Sequence, residues 1–309
     1  MGVHVDHYEL AGRVVVVTGA SSGIGWETAR SFAARGARLA LVARREERLR
    51  ALSAEIEAAT GRAAHVFPTD LSVRGAASAV ADEIARALGD VDVLVNNAGS
   101  AVGGAIWAVA DHDEARSHFE VDFWSPLALI GAFVPGMRRR GHGAVVNVTS
   151  LRVVLTWPAF GHSSAACAAL SQATETLRLE LLRFGVRVVE VIPGPIDTPA
   201  QGPTKLIPGF VEAVHGRLGI AQPADLADLI VRAVTVGEDR VFCPEGSTRA
   251  AFENPVALRN QVEADVRRVL ADGSGLPDEL LDTMVVGADD PMISDAREQW
   301  EREHSPSAQ

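Results

Sequence analysis

Thr18-Gly19-Ala20-Ser21-Ser22-Gly23-Ile24-Gly25 is the stretch on which the reading of the fold turns. It follows four consecutive valines, Val14 to Val17, and opens an amphipathic run from Gly23 to Arg35. A strand, a tight turn and a helix therefore stand in direct succession. Gly19 permits the turn, Gly23 lets backbone come close to a pyrophosphate, and Gly25 lets the helix pack against the sheet. The first amide groups of such a helix face negative charge, so Ser21, Ser22 and Ile24 join the three glycines as candidate binding residues.

The same alternation continues outward. Short Val/Leu/Ala runs predict strands over Arg13–Thr18, Arg38–Ala43, Ala63–Phe67, Val91–Val95, Gly143–Thr149, Val186–Ile192 and Arg240–Cys243. Helical patterns fill Gly23–Arg35, Glu46–Thr60, Val73–Leu88, one long passage His112–Arg140, Phe160–Phe184 and Ala224–Val236. Strands without polar alternation, separated by helices, belong to a parallel sheet buried on both faces. The expected class is α/β: a Rossmann-type doubly wound, parallel, seven-stranded sheet in a single domain, residues 1–249. A helical C-terminal tail follows over 250–309, with one pattern through Val256, Val262, Val266 and Leu270 and another through Leu280, Leu281 and Met284. Residues 199–221, with Gly202, Pro203, Pro208, Gly209 and Gly216 among apolar side chains, read as a substrate lid.

Composition excludes several partners. The chain has 309 residues and a net charge of −11, with no basic block, which argues against nucleic acid or an anionic membrane surface. No apolar run reaches the roughly 18 residues of a membrane span. His4, Asp6, His7 and Glu9 lack the basic-then-apolar order of a signal peptide, so a cytoplasmic protein is expected. Two cysteines, Cys167 and Cys243, provide neither a disulfide framework nor a zinc site, and no metal is expected. His112, Asp113, Glu114 and His118 form a tempting cluster, but six residues split the two histidines across helix faces.

Further motifs accumulate in order. Asp70-Leu71 follow the third strand, Asn96-Asn97-Ala98-Gly99 end the fourth, Ser150 ends the fifth, and Pro193-Gly194-Pro195-Ile196-Asp197-Thr198 end the sixth. With the glycine-rich turn, these elements make residues 10 to 245 resemble the short-chain dehydrogenase/reductase family. The resemblance implies that Asp70 meets the adenine, that Asn97, Ala98 and Gly99 line the cofactor, and that Pro193, Gly194, Ile196 and Thr198 face the nicotinamide. It also implies a homo-oligomer, dimer or tetramer. In such folds an acidic residue after the second strand binds a ribose 2′-hydroxyl, whereas arginine accommodates a 2′-phosphate. This strand ends Val42-Ala43-Arg44-Arg45, so NADP(H) is the expected cofactor, with Arg44 favoured over Arg45 as the clamp.

One part of the family pattern fails. The family transfers its proton with a Tyr-x-x-x-Lys pair on the helix after the fifth strand, aided by serine and by an Asn one helix earlier. Counting thirteen residues on from Ser150 puts Ser163 at the tyrosine position and Cys167 at the lysine position. The chain has one tyrosine, Tyr8, and one lysine, Lys205, so no such pair exists anywhere in it. Val121-Asp122-Phe123 stands where the family has Val-Asn. Losing a positioned general acid costs about 10² to 10⁴ in rate. Asp122 is the leading substitute acid or base; His162, of a residue type that titrates near neutrality, is the second. Ser150 retains a hydroxyl for a substrate carbonyl, Arg152 has the charge to orient an anion, and Cys167 is read as a small buried cysteine ahead of a nucleophile.

Three functions remain open on this reading: an atypical NADP(H)-dependent oxidoreductase, a redox-silent cyclase, dehydratase or isomerase, and a noncatalytic NADP(H)-binding protein. The first is preferred because the cofactor motifs persist together. Trp107, Leu155, Trp157, Phe160, Ile207 and Phe210 follow strand ends and point to a bulky, apolar small molecule, aromatic or polyketide-like.

Overall fold

The valines of β1 (Val14–Thr18) divide between two cores. Val15 and Val17 pack with Phe32, Leu49, Leu226 and Ile230 on one face, and Val14 and Val16 with Val80, Ile84, Leu129 and Met137 on the other. A strand buried on both sides needs no polar residue, which is why this run carries none. The computed structural model describes residues 8–99, 103–200 and 211–271, with isolated positions 295, 298, 299 and 302.

The remaining strands are β2 (Arg38–Ala43), β3 (His65–Pro68), β4 (Val93–Asn96), β5 (Gly143–Val148), β6 (Val186–Pro193) and β7 (Arg240–Cys243). Every pairing is parallel, in the order β3-β2-β1-β4-β5-β6-β7. The order reverses between β1 and β4, and ligands of such sheets sit at the carboxyl ends of the strands at that switch. Helices α1 (Gly23–Ala34), α2 (Glu46–Thr60) and α3 (Ala76–Leu88) connect the first four strands. Then come α4 (Ile106–Val109), α5 (Asp113–Phe119), α6 (Ser125–Arg140), α7 (Gly161–Leu181), α8 (Gly216–Leu218), α9 (Pro223–Val236), α10 (Glu245–Glu253) and α11 (Pro255–Ala271). None of the described helices is long and apolar enough to cross a membrane.

Three expectations change. Helix α3 starts at Ala76 instead of Val73, because Gly75 (φ 86°) sits in the left-handed region just before it. The passage His112–Arg140 is not one helix: a turn of π-helix, Glu120–Trp124, separates α5 from α6. The expected start of the tail also moves. A boundary at 249/250 falls inside α10, and Leu258 and Val262 of α11 are buried with Leu151, Leu155, Trp157, Phe160, Val214 and Leu218 in a third apolar cluster. Arg217, on α8, reaches Asp265 of α11 at 2.9 Å. The flank of the expected lid at 213–218 is thus packed against the tail helix. Residues 201–210, including Lys205, Ile207 and Phe210, lie outside the described residues, as do Leu280, Leu281 and Met284.

Candidate functional site

Thr18 and Asn97 close the switch point. The Thr18 hydroxyl accepts hydrogen bonds from the backbone N–H groups of Asn97 and Ala98, both at 2.9 Å, and donates to the Val95 carbonyl at 3.3 Å. The Asn97 side-chain amide donates to the Thr18 carbonyl at 2.9 Å. Two strand ends that diverge are held together by one hydroxyl and one amide. Gly19 (φ 66°) fits because nothing larger does: a Cβ there would come within 2.8 Å of the Ala98 Cα. At Gly25 a Cβ would collide with the Gly19 carbonyl. Gly23 faces the sixth-strand segment, where a Cβ would stand 3.0 Å from the Thr198 methyl.

The N-terminus of α1 carries no side-chain cap and no acidic residue in its first turn. Its leading N–H groups are therefore oriented as an anion site. Ser22, at the cap position, has its hydroxyl instead on Arg45, whose Nη2 donates to it at 2.8 Å and to Ser21 Oγ at 3.2 Å. Arg44 is exposed at the end of β2. Arg45, the second of the two arginines, thus touches the hydroxyls of the glycine-rich turn. Arg48 lies beside them, its Nε donating to the Ser21 carbonyl at 3.4 Å and its guanidinium over the Trp26 ring at 5.0 Å.

Other cofactor candidates occupy supporting places. Asp70 Oδ1 accepts from the Ser72 backbone N–H at 2.9 Å and hydroxyl at 2.7 Å, ordering the turn after β3. Leu71 is buried and its carbonyl accepts the Ser125 hydroxyl at 2.9 Å, anchoring the start of α6. Pro193 ends β6, Gly194 donates to the Cys243 carbonyl at 2.8 Å, and Ile196 and Thr198 are buried opposite the glycine-rich turn.

The residues singled out for chemistry converge in part. Ser150 caps the short turn Leu151–Val153, its hydroxyl accepting from the Arg152 backbone N–H at 3.3 Å. Asp122 sits on the π-turn, with Oδ1 3.4 Å from the place a Cβ would take on Gly99. Burial above all, and Asp122 when ionised, push the Cys167 thiol up to about 12, while the Arg152 charge opposes them. Cys167 is therefore held almost wholly as a thiol at neutral pH and is a poor nucleophile. Ser163 is only 1% exposed. His162 does not join the group through its Nε2, which lies 2.8 Å from the Ala110 carbonyl on the α4–α5 connection.

Tyr8 is at the other end of the sheet. Its hydroxyl donates to the Asp92 carbonyl at 3.3 Å, before β4 begins, and its ring lies under Arg13 and Arg187. Burial and Asp92 push its phenol up to about 12. Leu155, Trp157 and Phe160, expected on the substrate side, are buried in the third cluster; Trp107 is exposed. A groove between α1, α2 and α9 lies away from the site, lined by charges that neutralise each other, Arg30 with Glu27 and Glu55 and Arg35 with Asp228.

Sequence reasoning missed one participant. His118, set aside as a metal ligand, is 1% exposed and its Nε2 lies 2.9 Å from Asp122 Oδ2. His112, Asp113 and Glu114 are exposed. The separation of four residues between His118 and Asp122 was the available signal, since such residues are neighbours on a helix.

Several known proteins resemble this chain. An uncharacterized oxidoreductase of Mycobacterium bovis is 34% identical over 253 residues, covering 80% of this chain and 72% of its own length. A fatty acyl-CoA reductase of Acinetobacter baylyi is 32% identical, covering 74% and 75%. The crystal structure of L-sorbose reductase from Gluconobacter frateurii, complexed with NADPH and L-sorbose, superposes with a TM-score of 0.69 at 28% identity, covering 78% of this chain and 99% of that one. The short chain dehydrogenase profile matches residues 13–206, from the start of β1 past the sixth-strand motif. With that profile laid over the glycine turn, the Asn97 brace and the switch point, the chain belongs to the short-chain dehydrogenase family.

Proposed function

We propose that this protein is an NADP(H)-dependent oxidoreductase that interconverts a carbonyl and an alcohol on a bulky apolar substrate, with a proton donor other than the family's tyrosine. The observation that carries the reading is Arg45 on the hydroxyls of Ser21 and Ser22, beside a helix N-terminus left without a cap. A guanidinium there suits a 2′-phosphate, and the absence of a carboxylate at the end of β2 removes the usual partner of a 2′-hydroxyl. The glycine cradle and Asn97 would hold the pyrophosphate side, and Thr198 the nicotinamide side. Bound there, the cofactor supplies or accepts the hydride. The NADPH complex of L-sorbose reductase supports the cofactor, and the acyl-CoA reductase relative supports an apolar substrate.

Among the chain's own groups, Ser150 orients the substrate oxygen and Asp122 exchanges a proton with it. Ser163 and Cys167, at the positions of the family's tyrosine and lysine, do neither: an aliphatic hydroxyl is too weak an acid, and the thiol is held protonated. The test is incubation with NADPH and long-chain and aromatic aldehydes and ketones, following 340 nm absorbance and product mass. Cofactor consumption with a gain of two hydrogens is expected. Product at constant cofactor absorbance would mark a redox-silent enzyme, and tight NADPH binding without turnover across the panel a noncatalytic one; either overturns the proposal.

A further inference from the structure

His118 and Asp122 form a pair with two different faces. Oδ2 of Asp122 is 2.9 Å from the Nε2 of a histidine that is almost wholly buried, and Oδ1 is directed to Gly99 at the end of the Asn96–Gly99 turn. One oxygen is committed to the protein interior and the other to the switch point. Phe119 sets its ring edge-on to the imidazole, with centroids 6.5 Å apart. Cys167 of α7 feels both Asp122 and Arg152 of the turn after Ser150, with opposite effect. Ser163, on the same helix as Cys167, is buried and nonionic.

An imidazole serving only as core filler needs no carboxylate, and burying a lone carboxylate is costly unless its charge is compensated. Asp122 lies on the π-turn, and such turns are frequent at functional sites. The contact is short, 2.9 Å between Nε2 and Oδ2.

We propose that His118 is a positioning residue that shares one proton with Asp122, so that the pair, and not a lone carboxylate, donates and accepts the proton of the reaction. The inference rests on the oxidoreductase reading for its chemistry. In the reducing direction, a bound dihydronicotinamide would supply the hydride that the carbonyl carbon gains, and would be oxidised by its loss. The carbonyl oxygen takes the Asp122 proton, and His118 Nε2 replaces it. Oxidation runs the same path backward, leaving the proton on the pair.

The decisive measurement needs no cofactor. Cys167 reports the charge of the pair, because a negative Asp122 suppresses its thiolate. In a Cys243→Ala background, iodoacetamide alkylation of Cys167 is timed by mass spectrometry at neutral pH. If the pair holds a shared proton it is neutral, and His118→Gln unmasks the Asp122 charge and slows alkylation about threefold or more. In His118→Gln/Asp122→Asn the effect of the histidine substitution disappears. Equal rates for wild type and His118→Gln, or an equal His118 effect with and without Asp122, overturn the proposal. Should His118→Gln not fold, the ratio of Asp122→Asn to wild-type alkylation is followed with pH: a shared proton makes it rise severalfold as the pair deprotonates, whereas a constant ratio overturns the proposal. NADPH binding, read by fluorescence, is retained in every variant; loss of binding by the wild type would sink the oxidoreductase reading and leave the thiol result standing. With a turned-over substrate, His118→Gln lowers kcat about 10- to 100-fold with little change in KM.

Discussion

Asn97 donates its side-chain amide to the carbonyl of Thr18 at 2.9 Å, bridging the ends of the two strands that flank the switch point. Because Gly19 has no room for a side chain beside this amide, the brace and the turn are one unit. Asn97→Ala should cost about 1–2 kcal/mol of stability, the usual range for a lost hydrogen bond with a stranded acceptor. NADPH affinity should fall about tenfold as the turn loosens. Urea unfolding and fluorescence titration check both, and an Ala variant equal to wild type in both would show the brace to be idle.

Arg45→Ala should separate the two cofactors. A charge-assisted contact is worth about 1.5–3 kcal/mol, so NADPH affinity should fall about 10- to 100-fold while NADH affinity changes less than about threefold. Arg44→Ala, removing the exposed neighbour, should cost less than Arg45→Ala. The reverse ranking in paired titrations would return the clamp to Arg44.

Restoring the family's pair tests the assignment of Ser163 and Cys167. Ser163→Tyr/Cys167→Lys should raise carbonyl reduction about 10²-fold or more, the size of a positioned general acid. It should also lower stability by about 1–3 kcal/mol, because Ser163 is 1% exposed and a ring there overpacks its surroundings. A folded, NADPH-binding double variant without added activity would misplace the pair.

Alkaline pH should destabilise the chain through three weak acids. Burial raises Cys167 to about 12, Cys243 to about 11 and Tyr8 to about 12. The unfolded chain ionises these groups first, so between roughly pH 9 and 12 the folded state holds more protons and stability falls as pH rises. The urea midpoint should drop between about pH 8 and 10.5, and Cys167→Ala/Cys243→Ala should flatten that drop relative to its own value at pH 8. An unchanged slope would mean that the thiols do not contribute.

The sheet was legible because its signals are local. Arg38–Ala43 and Arg240–Cys243 match their expected bounds, and the other strands shift by a few residues at their ends. Unbroken β-branched runs closed by glycine turns leave little alternative. The π-turn at Glu120–Trp124 has no such signature, since the periodicity on either side reads as one helix and only packing inserts the extra residue. The His118–Asp122 contact was hidden for the same reason: the spacing was visible, but the burial that separates His118 from the exposed His112 is tertiary. The contact of Arg45 with Ser21 and Ser22 was not legible either, because it depends on side-chain direction and not residue type.

Helix α11 lies beyond residues 13–206, the part shared with the family profile, yet its Leu258 and Val262 complete the cluster that backs the turn after Ser150. The cluster behind that turn thus joins residues inside the shared part of the chain to residues beyond it. Drift in the last third can reshape what the site admits while the glycine turn, Asn97 and Thr18 stay untouched, so close relatives with matching first halves need not share a substrate.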